Sequence, residues 1–223
     1  MAGRYMLTAT AEELERAFAV RVDHAFPPRY NIAPSQPIAI VRVGFKRTPE
    51  FALVQWGLTP PWRSHGTDRL TPVARIEGVL GKPMFQSAFK RRRCLVPASG
   101  FYVWRGEQGA RTPYLVRPKR EGAFFAFAAI WEPIIDETGS EIDRAAILTT
   151  KAGRALQSVS EREPMVIPSN AFARWLETDE RDLKLLRDLE NPQQDGFWRT
   201  TRVSTAINDP TREGASLIEP IDG

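Results

Sequence analysis

A nearly continuous apolar run from Phe124 to Trp131 is the sequence feature that most constrains the fold of this chain. The run is eight residues long and rich in aromatic side chains, which favour strands over helices. It is also far shorter than the roughly 20 residues that a membrane-crossing helix needs. Because a strand without polar positions must be covered on both faces, we predict a central strand here, buried between other elements.

Short strand-like segments, separated by proline and glycine, account for most of the remaining chain. The sequence has 18 Pro and 15 Gly among 223 residues, so its regular elements must be short. The predicted strands are 38–43, 51–56, 94–97, 101–104, 113–116, 145–150 and 198–203. These strands predict a strand-rich α+β fold that forms one domain over residues 1–223.

Helices are predicted at the flanks of these strands. Thr10 and Glu13 form a capping box, which predicts a first helix that ends near Val20. Further helices are predicted around 84–89 and after Ser169. A last helix is predicted from Asp179, with one apolar face formed by Leu183, Leu186 and Leu189.

Composition narrows the classes of function. Apolar residues make up 42% and charged residues 26%, as in soluble proteins, and no signal-peptide pattern opens the chain. We therefore expect a cytoplasmic monomer with no membrane partner, associated with the nucleoid if it binds DNA.

The net charge is +4, and basic residues gather at 90–93 and 111–120. Such clusters are typical of phosphate-binding faces and equally of solvated strand ends.

Metal and thiol chemistry are not expected. Cys94 is the only cysteine, and His24 and His65 are not spaced as metal ligands, so we expect no disulfide, no metal site and no cofactor. Cys94 lies in an apolar strand and is predicted to be an inert buried thiol. The alternative is a nucleophile whose pKa the preceding arginines lower.

The residues themselves favour binding over catalysis. The sequence contains no phosphate-cradling glycine loop, metal-ligand spacing or nucleophile elbow. Arginines and exposed tryptophans in one groove are typical of sites for single-stranded nucleic acid, where bases stack on rings and phosphates meet guanidinium groups. The candidates for this site are Arg4, Arg75, Arg162, the run 90–93, Trp62 and Trp104.

Short motifs along the whole chain together resemble those of the SOS-response-associated peptidase family, whose members are also described as abasic-site processing proteins. None of the motifs is specific alone, but their order and spacing are. They are Met1-x-Gly3-Arg4-Tyr5, Arg29-Tyr30-Asn31-Ile32-Ala33-Pro34, Trp56-Gly57-Leu58-x-Pro60, Ala74-Arg75-Ile76-Glu77, Cys94-Leu95-Val96-Pro97-Ala98, Gly100-Phe101-Tyr102-x-Trp104, Phe127-Ala128-Ala129-Ile130-Trp131, Ile147-Leu148-Thr149-Thr150, Arg162-x-Pro164-Met165 and Val203-Ser204.

The resemblance implies a fold and a chemistry. The implied fold is a distorted β-barrel of mostly antiparallel strands with flanking helices. Family members bind single-stranded DNA, and their N-terminal cysteine closes a thiazolidine with the aldehyde of an abasic site. An Asn, a Glu and a His support this reaction as hydrogen-bonding and acid–base groups.

This chain departs from the family at all four catalytic positions. Ala2 replaces the cysteine, Val73 the Asn, Val103 the Glu and Ser160 the His. The DNA-binding positions that the resemblance carries over are retained: Gly3, Arg4, Asn31, Pro34, Trp62, Arg75, Trp104, Thr149 and Arg162. We therefore expect binding of single-stranded or abasic DNA without the covalent crosslink, because a thiazolidine requires a thiol.

Two other functions stay open at this level. After removal of Met1, the α-amine of Ala2 is a nucleophile that can form an imine with an abasic aldehyde, as in a lyase. Alternatively, the acidic helical face from Glu177 to Glu190 marks a protein-interaction module. The peptidase activity in the family name concerns release of residues ahead of the catalytic cysteine, and here only Met1 precedes Ala2.

Overall fold

Five strands close into a small barrel at the centre of the molecule. The computed structural model describes residues 3–23, 26–60, 70–107, 110–135 and 139–221. Its strands in chain order are β1 (Tyr5–Leu7), β2 (Arg29–Ile32), β3 (Pro37–Val43), β4 (Pro49–Trp56), β5 (Val73–Arg75), β6 (Arg93–Ala98), β7 (Gly100–Arg105), β8 (Thr112–Pro118), β9 (Phe125–Ile135), β10 (Glu141–Lys151), β11 (Arg162–Pro164), β12 (Val166–Ile167) and β13 (Trp198–Arg202). The barrel order is β10-β4-β3-β6-β9, and β9 returns to β10.

The barrel confirms the predicted fold class and the predicted central strand. All pairings within the barrel are antiparallel except that of β10 with β4, which is parallel. Further along β10, β5 takes over as its neighbour and is also parallel to it. Residues 125–130 of β9 are buried, because β6 and β10 flank the strand and a second sheet covers it. Thr149 of β10 and Arg75 of β5 are partners in the β10–β5 pairing, so they lie side by side near the ends of the two strands.

The second sheet lies across the barrel and carries the N-terminus. Its order is β13-β8-β7-β1-β2, with antiparallel pairs throughout. Tyr5 on β1 projects into the barrel, and its ring meets Trp56 and Phe127 edge-on at centroid distances of 5.3 and 5.8 Å. These contacts join the two sheets in one apolar core.

Within the described ranges, three α-helices flank the sheets: α1 (Ala11–Phe18), α2 (Pro83–Arg91) and α3 (Phe172–Glu177). The predicted capping box begins α1. Thr10 Oγ1 accepts from the Glu13 amide, and the Glu13 carboxylate accepts from the Thr10 amide. No helix in the described ranges is long and apolar enough to cross a bilayer.

The last predicted helix is wrong in type. Leu183–Glu190 is a 3₁₀ helix, with Leu186 and Leu189 buried. Its leucines recur every three residues, and three residues make one turn of a 3₁₀ helix, so this spacing aligns them on one side. The apolar face is as predicted, but the helical period is not.

Candidate functional site

An open groove of about 420 Å³ runs beside the ends of β5, β7 and β11. It brings together four of the predicted site residues: Arg75, Trp104, Ser160 and Arg162. The other residues that line it are Arg105, Gly106, Arg111, Gln157, Val159 and Glu161. We call this feature the Trp104 groove.

Arg162 is fixed to the floor of the groove by the barrel. Its Nε donates to Thr149 Oγ1 at 3.2 Å and its Nη2 to the Thr149 carbonyl at 2.6 Å. Thr149 is buried, and its hydroxyl donates in turn to the Ala74 carbonyl at 3.2 Å. Thr149 is thus a positioning residue inside the wall, and Arg162 presents its outer edge to the groove.

That outer edge is already paired with a carboxylate. Glu77 accepts two bonds from Arg162, at 3.1 and 2.8 Å. Partial burial opposes ionisation of Glu77, but the hydrogen bonds from Arg162 and the backbone outweigh it and lower the pKa of the carboxyl. Glu77 therefore stays ionised and cancels much of the charge of Arg162.

Three other arginines supply the unpaired positive charge. Arg75, Arg105 and Arg111 are exposed and have no ion-pair partner within the described ranges. Arg105 stands opposite Thr112 in the β7–β8 ladder, so the hairpin places two arginines on one rim of the groove and β5 places Arg75 on another. Such free guanidinium groups are suited to phosphate.

Trp104 is held half-buried at the rim. Its Nε1 donates to Asn208 Oδ1 at 2.8 Å, and its ring packs against the small apolar cluster around Tyr102. The indole is therefore fixed in orientation rather than free to rotate. A fixed, partly exposed ring beside cations is the arrangement on which a base stacks.

Arg4 and Asn31 hold the C-terminal segment, which we define as residues 204–218, against the second sheet. Arg4 Nη1 donates to Asn31 Oδ1 at 2.7 Å, and the guanidinium also donates to the carbonyls of residues 207 and 208 at 2.7 and 3.0 Å. Asn31 is fully buried, and its Nδ2 donates to the carbonyls of residues 209 and 212 at 2.8 and 3.0 Å. In this structure both side chains bind protein, and neither they nor Pro34 line the groove.

Replacing Asn31 by alanine is expected to lower the free energy of unfolding by about 2–3 kcal/mol. The change removes one of the three hydrogen bonds of Arg4 and takes the side-chain donor away from two partly buried backbone carbonyls, and each group left unsatisfied costs about 1–3 kcal/mol. Urea unfolding measures this loss, and hydrogen exchange should rise within the C-terminal segment first.

Asn191→Ala is the matched control for this prediction. Asn191 is exposed and makes one side-chain bond to a carbonyl, that of Asp188 at 3.0 Å. Its loss should cost well under 1 kcal/mol. Equal losses in the two variants would show that Asn31 does not anchor the segment.

The positions of the substituted family residues are partly described. Val103 is fully buried in the main core, and Val73 is half-buried against it. Ser160 lines the groove, but its hydroxyl donates to the Arg162 carbonyl at 2.6 Å. Ala2 and Trp62 lie outside the described residues. Gly3 is the first described residue, and a Cβ there would meet nothing within 4 Å, so the space beside it is open.

The basic run 90–93 does not belong to the groove. Arg93 is buried and donates to backbone carbonyls, while Arg92 pairs with Glu132 and Arg91 with Glu180. Cys94, which follows, is fully buried, so the predicted burial of this thiol is confirmed, and that burial raises the pKa of the thiol.

Sequence reasoning missed Arg105, Arg111 and Gln157. A signal for the first two was present, because a hairpin that pairs 101–104 with 113–116 must place the flanking arginines beside Trp104. Gln157 had no such signal, since it lies in a turn whose position depends on the tertiary structure.

The described lining of the groove consists mainly of cationic, aromatic and neutral polar side chains. Glu161 is the one carboxylate among its lining residues in the described part of the chain, and that lining includes no cysteine or histidine. The Ser160 hydroxyl is bonded to a carbonyl, which cannot act as a base. What the lining offers is free guanidinium groups, one fixed ring and one amide.

Comparisons with known proteins identify relatives of the whole chain. A family model described as SOS response associated peptidase (SRAP) matches residues 1–210. The abasic site processing protein YoqW of Bacillus subtilis (strain 168) is 27% identical over 226 residues, covering 98% of this chain and 99% of the relative. The abasic site processing protein YedK of Escherichia coli (strain K12) is 24% identical over 233 residues, covering 99% of this chain and all of the relative.

Solved structures share the fold. A crystal structure of a protein from Bacteroides thetaiotaomicron superposes with a TM-score of 0.84 at 19% identity, covering 98% of this chain and 99% of that one. A protein from Bordetella bronchiseptica superposes with a TM-score of 0.78 at 22% identity. At such identities the likeness concerns the fold alone.

Proposed function

The chain belongs to the SOS response associated peptidase family, and we propose that it binds single-stranded or abasic DNA in the Trp104 groove without forming a covalent crosslink. The observation that carries this proposal is the groove itself. A half-buried tryptophan with a fixed ring lies among three arginines that lack acidic partners in the described structure. The curated relatives are named abasic site processing proteins, which supports abasic DNA as the ligand.

The contacts of the groove residues indicate which of them bind phosphate, which one stacks on a base and which one is structural. Arg75, Arg105 and Arg111 are free to meet phosphates, and Trp104 offers a face to a base. Arg162 is paired with Glu77, so it forms part of the wall of the groove and contributes little net charge there. Binding should therefore depend more on the three free arginines than on Arg162.

The absence of a crosslink is argued from residue chemistry. Ala2 has no thiol, and Val73 and Val103 have no side-chain groups that exchange protons. Burial of Val103 adds to this, because a group at that position does not face the groove. Ser160 holds the place of the family's histidine with a hydroxyl that is bonded to a carbonyl.

Replacing Arg75 and Arg111 together by glutamine is expected to weaken binding of a single-stranded oligonucleotide by about 100-fold at low salt. Each removed guanidinium–phosphate bond is worth at least about 1.5 kcal/mol, which is roughly tenfold in affinity. The slope of log K against log salt should fall by about 0.7 for each lost contact. Fluorescence anisotropy of a labelled oligonucleotide at several salt concentrations measures both quantities.

Arg181→Gln is the control, because Arg181 is exposed and its pair with Asp179 is loose at 3.8 Å. It should leave both the affinity and the slope unchanged. No binding by the parent chain at low salt would remove DNA as the ligand. A parent adduct trapped by borohydride on abasic DNA would instead favour the imine chemistry of the Ala2 amine.

A further inference from the structure

Two arginines stand directly opposite each other on adjacent strands of the second sheet. Arg199 on β13 pairs with Arg117 on β8 in the antiparallel ladder, so their side chains leave the same face. Neither has an ion-pair partner in the described part of the chain. Like charges directly opposite each other destabilise a sheet, which makes an unpaired arginine pair here costly without a ligand.

The pair borders a separate cavity of about 290 Å³. Arg120 adds a third guanidinium to its lining, together with Thr8, Ser99 and residues 121–123. Ser99 Oγ accepts from the Thr8 amide at 3.0 Å, which leaves the Ser99 hydroxyl hydrogen free to donate within the described structure. The cavity thus combines cations with a neutral donor, the set that recognises a phosphate.

Two glutamates also line the cavity, and neither forms an ion pair with its arginines in the described structure. Glu13 accepts from the Thr10 amide at 2.8 Å as part of the α1 capping box. Glu121 lies on the turn after β8 and forms no ion pair with the three arginines in the described structure. Three cations against two carboxylates leave an excess positive charge beside the Arg117–Arg199 pair.

Local packing places Arg117 over the sheet. A Cβ on Gly100 would lie 2.8 Å from Arg117 Cγ, so the glycine makes room for the stem of that arginine. Gly100 and Trp104 belong to the same strand, four residues apart, which separates their positions by roughly 13 Å. Between them the C-terminal segment covers Tyr102 and Leu115, so the cavity is distinct from the Trp104 groove.

We propose that Arg117, Arg199 and Arg120 form a second phosphate-binding site, at the opposite end of β7 from the Trp104 groove. The phosphate comes either from a DNA strand that extends beyond the groove or from a free phosphate ion. The first source rests on the proposed function, and the second does not. In both cases the ligand neutralises the repulsion between the two facing guanidinium groups.

The test compares the full chain with Arg117→Gln/Arg199→Gln, and with Arg199→Gln alone in case the double variant does not fold. One arm follows the thermal midpoint as inorganic phosphate is added, against chloride at matched ionic strength. The other arm measures salt slopes for a short oligonucleotide that fills only the groove and for a longer one. Arg181→Gln serves as the control in both arms.

Site occupancy by free phosphate predicts that the parent midpoint rises with phosphate and that the rise disappears in the variants. Occupancy by the strand predicts that the salt slope for the long oligonucleotide falls by about 1.4 in the double variant and by about 0.7 in Arg199→Gln alone, with no change for the short one. In either case, the variants without ligand should melt no lower than the parent, because a like-charge contact has been removed. Variants that match the parent in both arms would overturn the second site.

The two proposals fail separately. If the parent binds no oligonucleotide, DNA binding fails while the phosphate arm still tests the cavity. If Arg75 and Arg111 control DNA binding but the cavity variants change nothing, the second site fails alone.

Discussion

An Ala2→Cys variant, with Met1 removed, is expected to form a heat-stable covalent adduct with abasic DNA that the parent chain does not form. The amine attacks the aldehyde carbon of the opened deoxyribose, and loss of one water leaves an imine. The thiol sulfur then adds to the imine carbon, its proton passes to the nitrogen, and a thiazolidine ring closes. The family resemblance implies that position 2 takes part in this chemistry, and this prediction rests on that implication. Denaturing gels of protein mixed with an abasic oligonucleotide show the adduct as a shifted band.

A second change should accelerate this reaction. Position 160 lines the Trp104 groove, so Ser160→His places an acid–base group within it. General acid–base catalysis contributes about 10²–10⁴-fold, and the double variant should exceed Ala2→Cys in rate by a factor in that range. Val103 is left unchanged, because a glutamate at this fully buried position would place a carboxylate in the apolar core.

Ala2→Ser is the matched control for the crosslinking prediction. It keeps the α-amine and replaces the thiol by a hydroxyl, so no stable adduct should survive heating. A heat-stable band from the parent chain would contradict the proposed loss of crosslinking. Equal behaviour of the Cys and Ser variants would show that position 2 does not meet the lesion.

Replacing Arg93 by alanine is expected to lower the free energy of unfolding by about 3–5 kcal/mol. Arg93 Nε donates to the Trp175 carbonyl at 2.7 Å, and Nη1 donates to the carbonyls of residues 89 and 90 at 2.7 and 2.9 Å. Nη2 donates to the Thr178 carbonyl. One guanidinium therefore caps the C-terminal ends of both α2 and α3, where carbonyls lack partners within the helix.

The physical cost arises because the site is closed to water. Arg93 is only 5% exposed, and desolvation lowers the pKa of its guanidinium to about 10. Without the side chain, two buried and two partly buried carbonyls lose charged hydrogen bonds, each worth about 1.5–3 kcal/mol before relaxation. Lysine at this position should recover only part of the loss, because an ammonium cannot reach both helix ends with a planar fork.

Urea or thermal unfolding of Arg93→Ala measures the effect, and Arg91→Ala is its control. Arg91 belongs to the same basic run, but its side chain is 65% exposed and pairs with Glu180 at the surface. Surface pairs contribute about 0–1 kcal/mol. A loss below 1 kcal/mol for Arg93→Ala would mean that the helix ends find other partners.

Local patterns predicted the elements well. The capping box at Thr10 and Glu13 predicted the start of α1, because both partners of a cap lie within three residues. The apolar run in β9 predicted a strand covered on both faces, and the strand-like segments 94–97 and 145–150 predicted its neighbours. The 3₁₀ helix at Leu183–Glu190 escaped prediction, because a spacing of three also fits one face of a short α-helix.

Contacts between distant segments of the site could not be predicted from any one segment of the sequence. The motifs that carry the family resemblance name Arg75, Trp104 and Arg162, and the structure gathers these three around one groove. The pairing of Arg162 with Glu77 has no local signal, since the two residues come from opposite sides of β10. Charge counted along the chain therefore overstated what Arg162 offers to a ligand.

The sequence alone determined the fold class, the five barrel strands, the family and the missing thiol at position 2. Those follow from local periodicity and residue identity. Only the tertiary structure decided which charges are free. In that structure Arg93 is buried between the ends of two helices, Arg4 is hydrogen-bonded to the C-terminal segment, and Arg117 lies opposite Arg199. The reason is physical: the state of a charged side chain depends on its nearest acceptors and on water, and in a sheet protein both are set by residues that are distant along the chain.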